Sequence, residues 1–423
     1  MSSLTRARTS LVVPAIFFAA GCGLAVRPSP DAAAAGDAAV ARADTSVLGD
    51  AGMLAADASS CAEPLVWIDA APITREVLED RPPVLVAGPA GLDLLYAYWD
   101  ADACFSRPDA ICLSADHFAA DGGEGPRREP SWAAALGEPR GLFGGRDPSG
   151  VPYFAIASAD RVAWSHAPTG DGWEAPEGSV ALTGVLGDVA LGASEVYVYT
   201  ATSAPRAGGR DDTLVSGVLT AYALDGSGAH AIDRDLAFGS TFWSPRLLGT
   251  AAGPWLALIT DFDFPPTVQI AGPDAIRSFE GSSCGVESYD LAAFTETDVV
   301  VVEDCGARVR LRARPGWAAG PIPGVELEDR DASAGVRSRV AYAAGHVVSA
   351  RRTIEGVRVA VHDAQLRLLA DVVVPGSEGT FPGSLSVTAS DDGTMAVLYV
   401  APYAAGAANG EARLRRFRLC DAR

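Results

Sequence analysis

The chain has 423 residues, a formal net charge of −20 at pH 7 and an isoelectric point near 4.6. An acidic surface repels phosphates, and the basic footprint that nucleic-acid binding needs is missing, so we expect no nucleic-acid partner. Five histidines are scattered without metal-ligand spacing: His117, His166, His230, His346 and His362. The sequence therefore predicts neither a metal site nor a bound cofactor.

The amino terminus has the organisation of a secretion signal. Arg6 and Arg8 form a basic region, and the apolar run Leu11–Ala20 follows. This run is much shorter than the about 20 apolar residues that a membrane-spanning helix needs. A basic region, a short apolar core and small residues at the cut predict export, with residues 1–21 removed.

The signal ends in Ala19-Ala20-Gly21-Cys22, which resembles the lipobox of bacterial lipoproteins. The resemblance implies that Cys22 is the lipid-attachment residue, acylated on its sulfur and, after cleavage, on its new amine. Several acyl chains on one residue give stable membrane anchoring. Gly23 is not the aspartate that retains many such proteins at the inner membrane, which favours the outer membrane or the cell surface. An ordinary signal peptide with a chance cysteine is the alternative.

Two further regions follow the signal. Residues 22–60 are rich in alanine, aspartate and glycine and contain no aromatic residue. Such a segment has little apolar surface to offset its ordering entropy, so it is predicted to be a disordered tether. Residues 61–423 have a uniform texture with no second low-complexity linker, and we predict one folded domain there.

The folded domain repeats one pattern: a strand of small residues, a turn rich in glycine and aspartate, and a strongly apolar strand. The turns lie near positions 91, 150, 194, 253, 297, 345 and 393, a spacing of about 50 residues. Repeats of this length with about four short strands each favour a β-propeller. We therefore predict an all-β fold with seven blades of four antiparallel strands. Six or eight blades, or a pair of β-sandwiches, are the alternatives.

Two of these turns carry a family resemblance. Ser390-Asp-Asp-Gly393 and Asp147-Pro-Ser-Gly150 are similar to the Ser-Pro-Asp-Gly turns of TolB-like propellers. The likeness covers the folded domain as a pattern only. The repeat length is also WD-repeat-like, although no WD-repeat signature is present. The resemblance implies a disc-shaped propeller with loops on its two faces.

Six cysteines remain once Cys22 is assigned to lipid. An even number in an exported protein predicts a disulfide framework. The propeller arrangement favours three pairs: Cys61 with Cys420, Cys104 with Cys112, and Cys284 with Cys305. Free, buried cysteines are the alternative.

The two ends of the folded domain are expected to meet. Propeller rings commonly close when one terminus supplies a strand to the blade made by the other. Here Leu65–Ile68 would pair antiparallel with Arg413–Leu419, which would place Cys61 beside Cys420.

The acidic segments of the sequence match catalytic or metal-binding motifs only weakly. Ser390–Thr394 approaches the Asp-box of sialidases, but its spacing differs and the tryptophan is missing, which is more typical of a turn. Asp100 with Asp102, and Asp261 with Asp263, place paired carboxylates on one face of a strand. Neither pair continues into the loop pattern of a calcium site, so solvated loops or faces are favoured.

Other candidate features also favour structural roles. Trp164-Ser-His166 could mark a pocket, although packing is more typical. Arg308, Arg310, Arg312 and Arg314 give a strand one charged face, which either protects an edge from aggregation or binds an anionic glycan. Trp243 and Trp255 are expected to pack between blades.

These features favour a lipid-anchored module of the cell envelope that binds protein or glycan and is not an enzyme. The alternative is an extracellular carbohydrate-active hydrolase or lyase with acidic residues at the central channel; a part of a larger envelope assembly is a third reading. Carboxylates at the channel with a raised pKa in one of them would favour the enzyme. No catalytic residue is assigned, and the oligomeric state is left open.

Overall fold

Strands make up nearly all the regular structure, as the repeated apolar segments predict. The structure, a computed structural model, describes residues 63–420 with internal gaps, all within the compact unit Ser59–Arg423. The residues outside the description are 1–62, 79, 101–110, 121, 168–172, 206–212, 233–244, 261–266, 274–275, 279–287, 294–298, 305–307, 314–324, 329–337, 379–383, 402–408 and 421–423. No helix in the described part of the chain is long and apolar enough to cross a membrane.

The described strands form seven antiparallel sheets, numbered here in chain order. Sheet 1 contains β3 (Val84–Gly88), β4 (Gly91–Trp99) and β5 (Ile111–Ala119), and sheet 2 contains β6 (Gly141–Arg146), β7 (Pro152–Ala157), β8 (Arg161–His166) and β9 (Gly178–Ala181). Sheet 3 contains β10 (Val185–Leu191), β11 (Glu195–Pro205), β12 (Thr213–Ala223) and β13 (His230–Ile232). Sheet 4 contains β14 (Arg246–Thr250), β15 (Gly253–Thr260), β16 (Thr267–Ala271) and β17 (Ile276–Ser278). Sheet 5 contains β18 (Ser288–Ala293), β19 (Val299–Asp304), β20 (Arg308–Ala313) and β21 (Val325–Glu328). Sheet 6 contains β22 (Arg339–Ala343), β23 (His346–Thr353), β24 (Gly356–Asp363) and β25 (Leu368–Val373). Sheet 7 contains β26 (Leu385–Ala389), β27 (Met395–Ala401) and β28 (Gly410–Leu419), and β1 (Leu65–Trp67) and β2 (Ile73–Val77) also belong to it.

The first strand of each sheet packs beside the first strand of the next. These contacts run from β3 through β6, β10, β14, β18, β22 and β26, and β26 contacts β3 again. The sheets are therefore arranged radially around a central channel, which confirms the predicted all-β propeller. The turns predicted near 91, 150, 194, 253, 345 and 393 join the first and second strands of their sheets; position 297 lies outside the described residues.

The prediction of four strands in every blade requires a correction. Six sheets have four or more strands, whereas sheet 1 has three. Its outer position is taken by residues 122–128, which pair with β5 in the isolated bridges Ala115↔Arg128 and Phe118↔Glu124 and not in a continuous ladder. Several glycines and Pro126 interrupt this segment, and proline cannot donate to a strand ladder. A regular fourth strand therefore does not form there.

The predicted pairing of the two ends of the domain is confirmed. Strand β1 pairs antiparallel with the end of β28, with Leu65 opposite Leu419 and Trp67 opposite Phe417. Strand β2 continues along the same neighbour, with Ile73 opposite Leu414. The outer strand of sheet 7 is thus supplied by the amino-terminal end of the domain.

Hydrophobic clusters fill the interfaces between neighbouring sheets. The cluster between sheets 4 and 5, for example, combines Trp255 and Ile270 with Leu291 and Val301. Trp255 therefore packs between sheets as predicted, while Trp243 lies outside the described residues. Burial of one such aliphatic side chain contributes roughly 1.5–3 kcal/mol. The ring is consequently held by side chains from sequence-distant strands.

Two of the predicted disulfide cysteines are in the described part of the chain. Cys112 lies in β5, Cys420 directly follows β28, and both are disulfide-bonded. Cys61, Cys104, Cys284 and Cys305 lie outside the described residues, as does Cys22. The pairing of the cysteines therefore stays a prediction.

A buried arginine joins three parts of the closed ring. Arg416 of β28 donates from Nη2 to Asp69 Oδ1 at 2.5 Å, and its backbone N–H donates to Asp69 Oδ2 at 3.0 Å. Its guanidinium also donates to the carbonyl oxygens of Ala119 and Gly122, both at 3.2 Å. The amino-terminal segment, sheet 7 and sheet 1 therefore meet at one side chain.

We predict that Asp69→Ala destabilises the ring more than loss of an exposed ion pair does. The side chains of Arg416 and Asp69 are only 4% and 9% exposed, so the variant leaves a buried charge without its partner. Such losses cost about 3–5 kcal/mol. The measurement is the free energy of unfolding in urea.

The control is Arg418→Ala, which removes a pair with Asp392 whose side chains are 46% and 40% exposed. Exposed pairs contribute about 0.2–1 kcal/mol. Equal effects of Asp69→Ala and Arg418→Ala would contradict a closing role for Arg416.

Candidate functional site

The central channel is a cavity enclosed by the described residues. Its volume is about 990 Å³, and every sheet contributes its first strand to the wall. Charged residues from five inner strands and two turns also line it: Arg146, Asp147, Asp188, Arg246, Asp290, Arg339 and Asp391. The channel is therefore the natural candidate site, because propeller side chains from distant repeats converge there.

Asp188 of β10 is a buried carboxylate on the channel wall. Its Oδ2 accepts a hydrogen bond at 2.7 Å from the backbone N–H of Leu247, which belongs to β14 of the next sheet. Its Oδ1 accepts one at 2.9 Å from the backbone N–H of Val189. Burial raises the pKa of Asp188 to about 6, although Arg246 and the two backbone donors act in the opposite direction. Each carboxylate oxygen thus accepts one backbone hydrogen bond.

Arg246 and Asp290 form an ion pair between sheet 4 and sheet 5. Nε of Arg246, in β14, lies 2.8 Å from Asp290 Oδ1 of β18, and Nη2 lies 2.6 Å from the same oxygen. Oδ2 of Asp290 accepts from the backbone N–H of Val340 in β22 at 3.1 Å. Asp290 raises the pKa of the Arg246 guanidinium, which keeps its positive charge.

Hydrogen bonds from side chains of one sheet to the inner strand of the next are a recurring feature of this wall. Asp188 binds sheet 4 and Asp290 binds sheet 6; Thr388 of sheet 7 likewise accepts from the backbone N–H of Ala87 in sheet 1 at 3.1 Å. An inner strand is hydrogen-bonded to a neighbouring strand along one edge only, so the N–H groups on its open edge need other acceptors. The channel carboxylates meet this need.

Two buried tyrosines near the channel donate to backbone oxygens. The Tyr153 hydroxyl donates to Val189 O at 3.3 Å, and that of Tyr289 donates to Ala257 O at 2.5 Å. Burial raises the pKa of both hydroxyls above the ordinary value for tyrosine. They therefore remain neutral donors, which disfavours a tyrosinate nucleophile.

Charged groups at the end of β6 and in the turns that follow β6 and β26 are also paired. Arg146 Nη2 lies 2.5 Å from Asp391 Oδ2. His166 Nδ1 lies 2.8 Å from Glu177 Oε2, and its Nε2 lies 3.3 Å from Asp147 Oδ2. The two carboxylates therefore bind different ring nitrogens of His166. Among the described residues, no group of three potential ligands could hold a metal ion.

The described residues of two predicted motifs have structural roles. Trp164 is fully buried and donates from Nε1 to Leu224 O at 2.9 Å, which is packing rather than a pocket. Asp392, in the Ser390–Thr394 segment, accepts from the backbone N–H of Thr394 at 2.9 Å through Oδ1. Gly393 has a φ of 82°, so this segment is a tight turn between β26 and β27.

The remaining predicted candidates lie wholly or partly outside the described residues. Asp100 follows β4, whereas Asp102, Asp261 and Asp263 lie outside the described residues. For the arginine-rich strand, the backbone of residues 308–313 is described as β20, and Arg314 lies outside the description.

Asp188, Arg246 and Asp290 were not among the sequence candidates, yet a signal for them exists. Each stands six or seven positions before a predicted turn, in the first strand of its repeat. Alignment of the repeats on their turns would have identified these charged positions on the channel wall.

Comparison with known proteins identifies no family for this chain. Neither a protein-family profile nor a curated protein sequence matches the chain. Similar solved structures include a prolyl endopeptidase at 11% identity and TM-score 0.46, which aligns over 78% of this chain and 45% of its own. A Trypanosoma rangeli sialidase gives 11% identity and TM-score 0.39, over 81% of this chain and 54% of its own. Kluyveromyces lactis Hsv2 gives 11% identity and TM-score 0.42, over 80% of this chain and all of its own.

This chain spans about half the length of the prolyl endopeptidase and the sialidase. At these identities and scores, no activity is carried over from any of the three. The arrangement of its own sheets makes the chain a β-propeller protein.

The pKa of Asp188 predicts a specific pH dependence of stability. The folded-state pKa of about 6 exceeds the ordinary value of 3.8, so the folded state binds the proton more tightly than the unfolded state. The contribution of Asp188 is therefore most favourable at low pH and is lost as the pH rises through 6, by up to about 3 kcal/mol.

We expect the stability difference between the natural protein and Asp188→Asn to decrease from pH 4 to pH 7. The measurement is urea unfolding across this range, with Asp391→Asn at the exposed end of the channel as the control. A difference that is independent of pH would contradict the raised pKa.

Proposed function

We propose that this protein is a binding module of the cell envelope and not an enzyme. The observation that carries the proposal is the use of the channel acids: both oxygens of Asp188 and both oxygens of Asp290 already accept hydrogen bonds within the protein. An acid or base catalyst must instead exchange a proton with a bound substrate. The carboxylates thus act as acceptors that join sheets.

The dimensions of the channel support binding of a segment of a larger molecule. Its volume of about 990 Å³ is at the upper end of the range for small-molecule sites. Apolar positions such as Val185, 65% exposed, lie on the same wall as the charged groups. A wall of this mixed character suits a sugar chain or a protein loop, and these are the ligand classes we propose.

A carbohydrate-active hydrolase or lyase is the second candidate. One observation favours it: a carboxyl with a pKa raised to about 6 lies at the channel, as a general acid would require. Each oxygen of Asp188 also accepts a backbone hydrogen bond that joins the carboxylate to the channel wall. We therefore rank catalysis below binding.

The test combines a binding assay with a product assay. The mature protein is applied to an array of envelope polysaccharides and proteins, and each retained polysaccharide is then incubated with it and assayed for new reducing ends and unsaturated products. We expect retention without product. Product that accumulates with the natural protein and is abolished in Asp188→Asn would establish the enzyme instead.

We further propose that Cys22 holds the propeller on a membrane, at the outer membrane or the cell surface. The lipobox resemblance supports this location, and residues 22–60 would provide the tether. We expect the natural protein to partition into the detergent phase and to incorporate labelled palmitate. Cys22→Ala should shift it to the aqueous phase without label, because the acyl chains provide the membrane affinity.

The matched control for this experiment is Gly23→Ala, which leaves the acylated sulfur in place. Labelled palmitate in Cys22→Ala, or detergent partitioning without label in the natural protein, would contradict the proposed anchor.

A further inference from the structure

Arg246 has one edge of its guanidinium occupied and one edge available. Asp290 occupies the edge formed by Nε and Nη2, at 2.8 and 2.6 Å. The end formed by Nη1 and Nη2 makes no hydrogen bond to the described residues. The side chain lines the channel and is 36% exposed, so a molecule in the channel can reach it.

Asp290 holds the arginine in a fixed orientation. Its other oxygen is bound to the backbone of Val340 at 3.1 Å, so the carboxylate itself cannot turn freely. An arginine fixed in this way loses little rotamer entropy when it binds a second partner. Preorganisation of this kind is typical of binding sites.

On this part of the wall the two carboxylates already accept hydrogen bonds, whereas the Arg246 guanidinium keeps donors that bind none of the described residues. The oxygens of Asp188 and Asp290 accept from backbone and guanidinium groups of the protein. The free end of a guanidinium matches the two oxygens of a carboxylate, which it binds in parallel hydrogen bonds. A phosphate dianion would be repelled more strongly by the two acids beside it.

From this geometry we propose that the channel recognises a carboxylate of its ligand through the free end of Arg246. The inference rests on the proposed binding function and specifies the chemistry of the ligand: an acidic group, on a sugar acid or on an acidic amino acid. The excess of negative charge elsewhere on the chain makes such a site selective, because an acidic ligand finds few other attractive surfaces.

The test is isothermal titration calorimetry of the mature protein with two acids, digalacturonate and N-acetylaspartate, and with the methyl ester of each. We expect at least one acid to bind and its ester to bind about tenfold to a hundredfold more weakly, since the ester lacks the charge. The acid that binds identifies the source of the carboxylate.

Variants then locate the site. Arg246→Gln should weaken binding of the acid by a similar factor, and Arg246→Lys should weaken it less, because lysine keeps the charge but loses the paired donors. Arg367→Gln, at a side chain that is 78% exposed and is not among the residues that line the channel, should have no effect.

A second variant controls for misfolding, which could also abolish binding, because Arg246→Gln leaves Asp290 without its ion-pair partner. Arg246→Gln combined with Asp290→Asn removes both charges and should fold, as circular dichroism would show, while it fails to bind the acid.

Three results would overturn the inference: no binding of either acid at millimolar concentration, equal binding of acid and ester, or unchanged binding in the Arg246 variants. Retention of neutral ligands on the array would leave the proposed binding function standing in each case. Release of products from a retained polysaccharide would refute the binding function itself, independently of Arg246.

Discussion

An inner strand of a propeller has a hydrogen-bonded neighbour on one edge only, and its other edge faces the channel or the adjoining sheet. Backbone N–H groups on that edge must find acceptors, since a buried group without one is costly. In this protein the acceptors are side chains of the preceding sheet: Asp188 for Leu247, Asp290 for Val340 and Thr388 for Ala87. This requirement gives the channel carboxylates a structural role.

The same requirement sets the electrostatic character of the channel. Burial of Asp188 carries a free-energy cost, which is visible as a pKa raised to about 6, and the nearby Arg246 offsets part of it. Arg246 in turn is oriented by Asp290, and its positive charge is retained. A network that engages its own carboxylates and keeps a fixed guanidinium at the channel is the basis for our proposal that the channel holds an anionic group.

The sequence predicts the architecture better than it predicts the site. Turn residues such as Gly150 and Gly393 mark the hairpins locally, and β1 could be matched to β28 because propeller rings close in this way. The three-stranded sheet was missed because the repeat pattern does not reveal that Pro126 and its glycines interrupt an outer strand. The pairing of cysteines stays a prediction.

The channel network was missed for a different reason. Its partners are separated by 59 residues between Asp188 and Leu247, 44 between Arg246 and Asp290, and 50 between Asp290 and Val340. These separations are about one repeat, so the residues meet only when consecutive repeats stack side by side. No motif within a single segment contains such a site.

Hydrogen exchange of the backbone amides of Leu247 and Val340 tests this account most directly. Both amides lie on the open edges of inner strands, beside a channel that water can enter. If Asp188 and Asp290 bind them as described, both should exchange as slowly as the ladder amides of β15 and β23, and Asp188→Ala should speed exchange at Leu247 while leaving Val340 unchanged. Rapid exchange of both amides in the natural protein would show that the carboxylates are free in the channel, and the case against catalysis would fail.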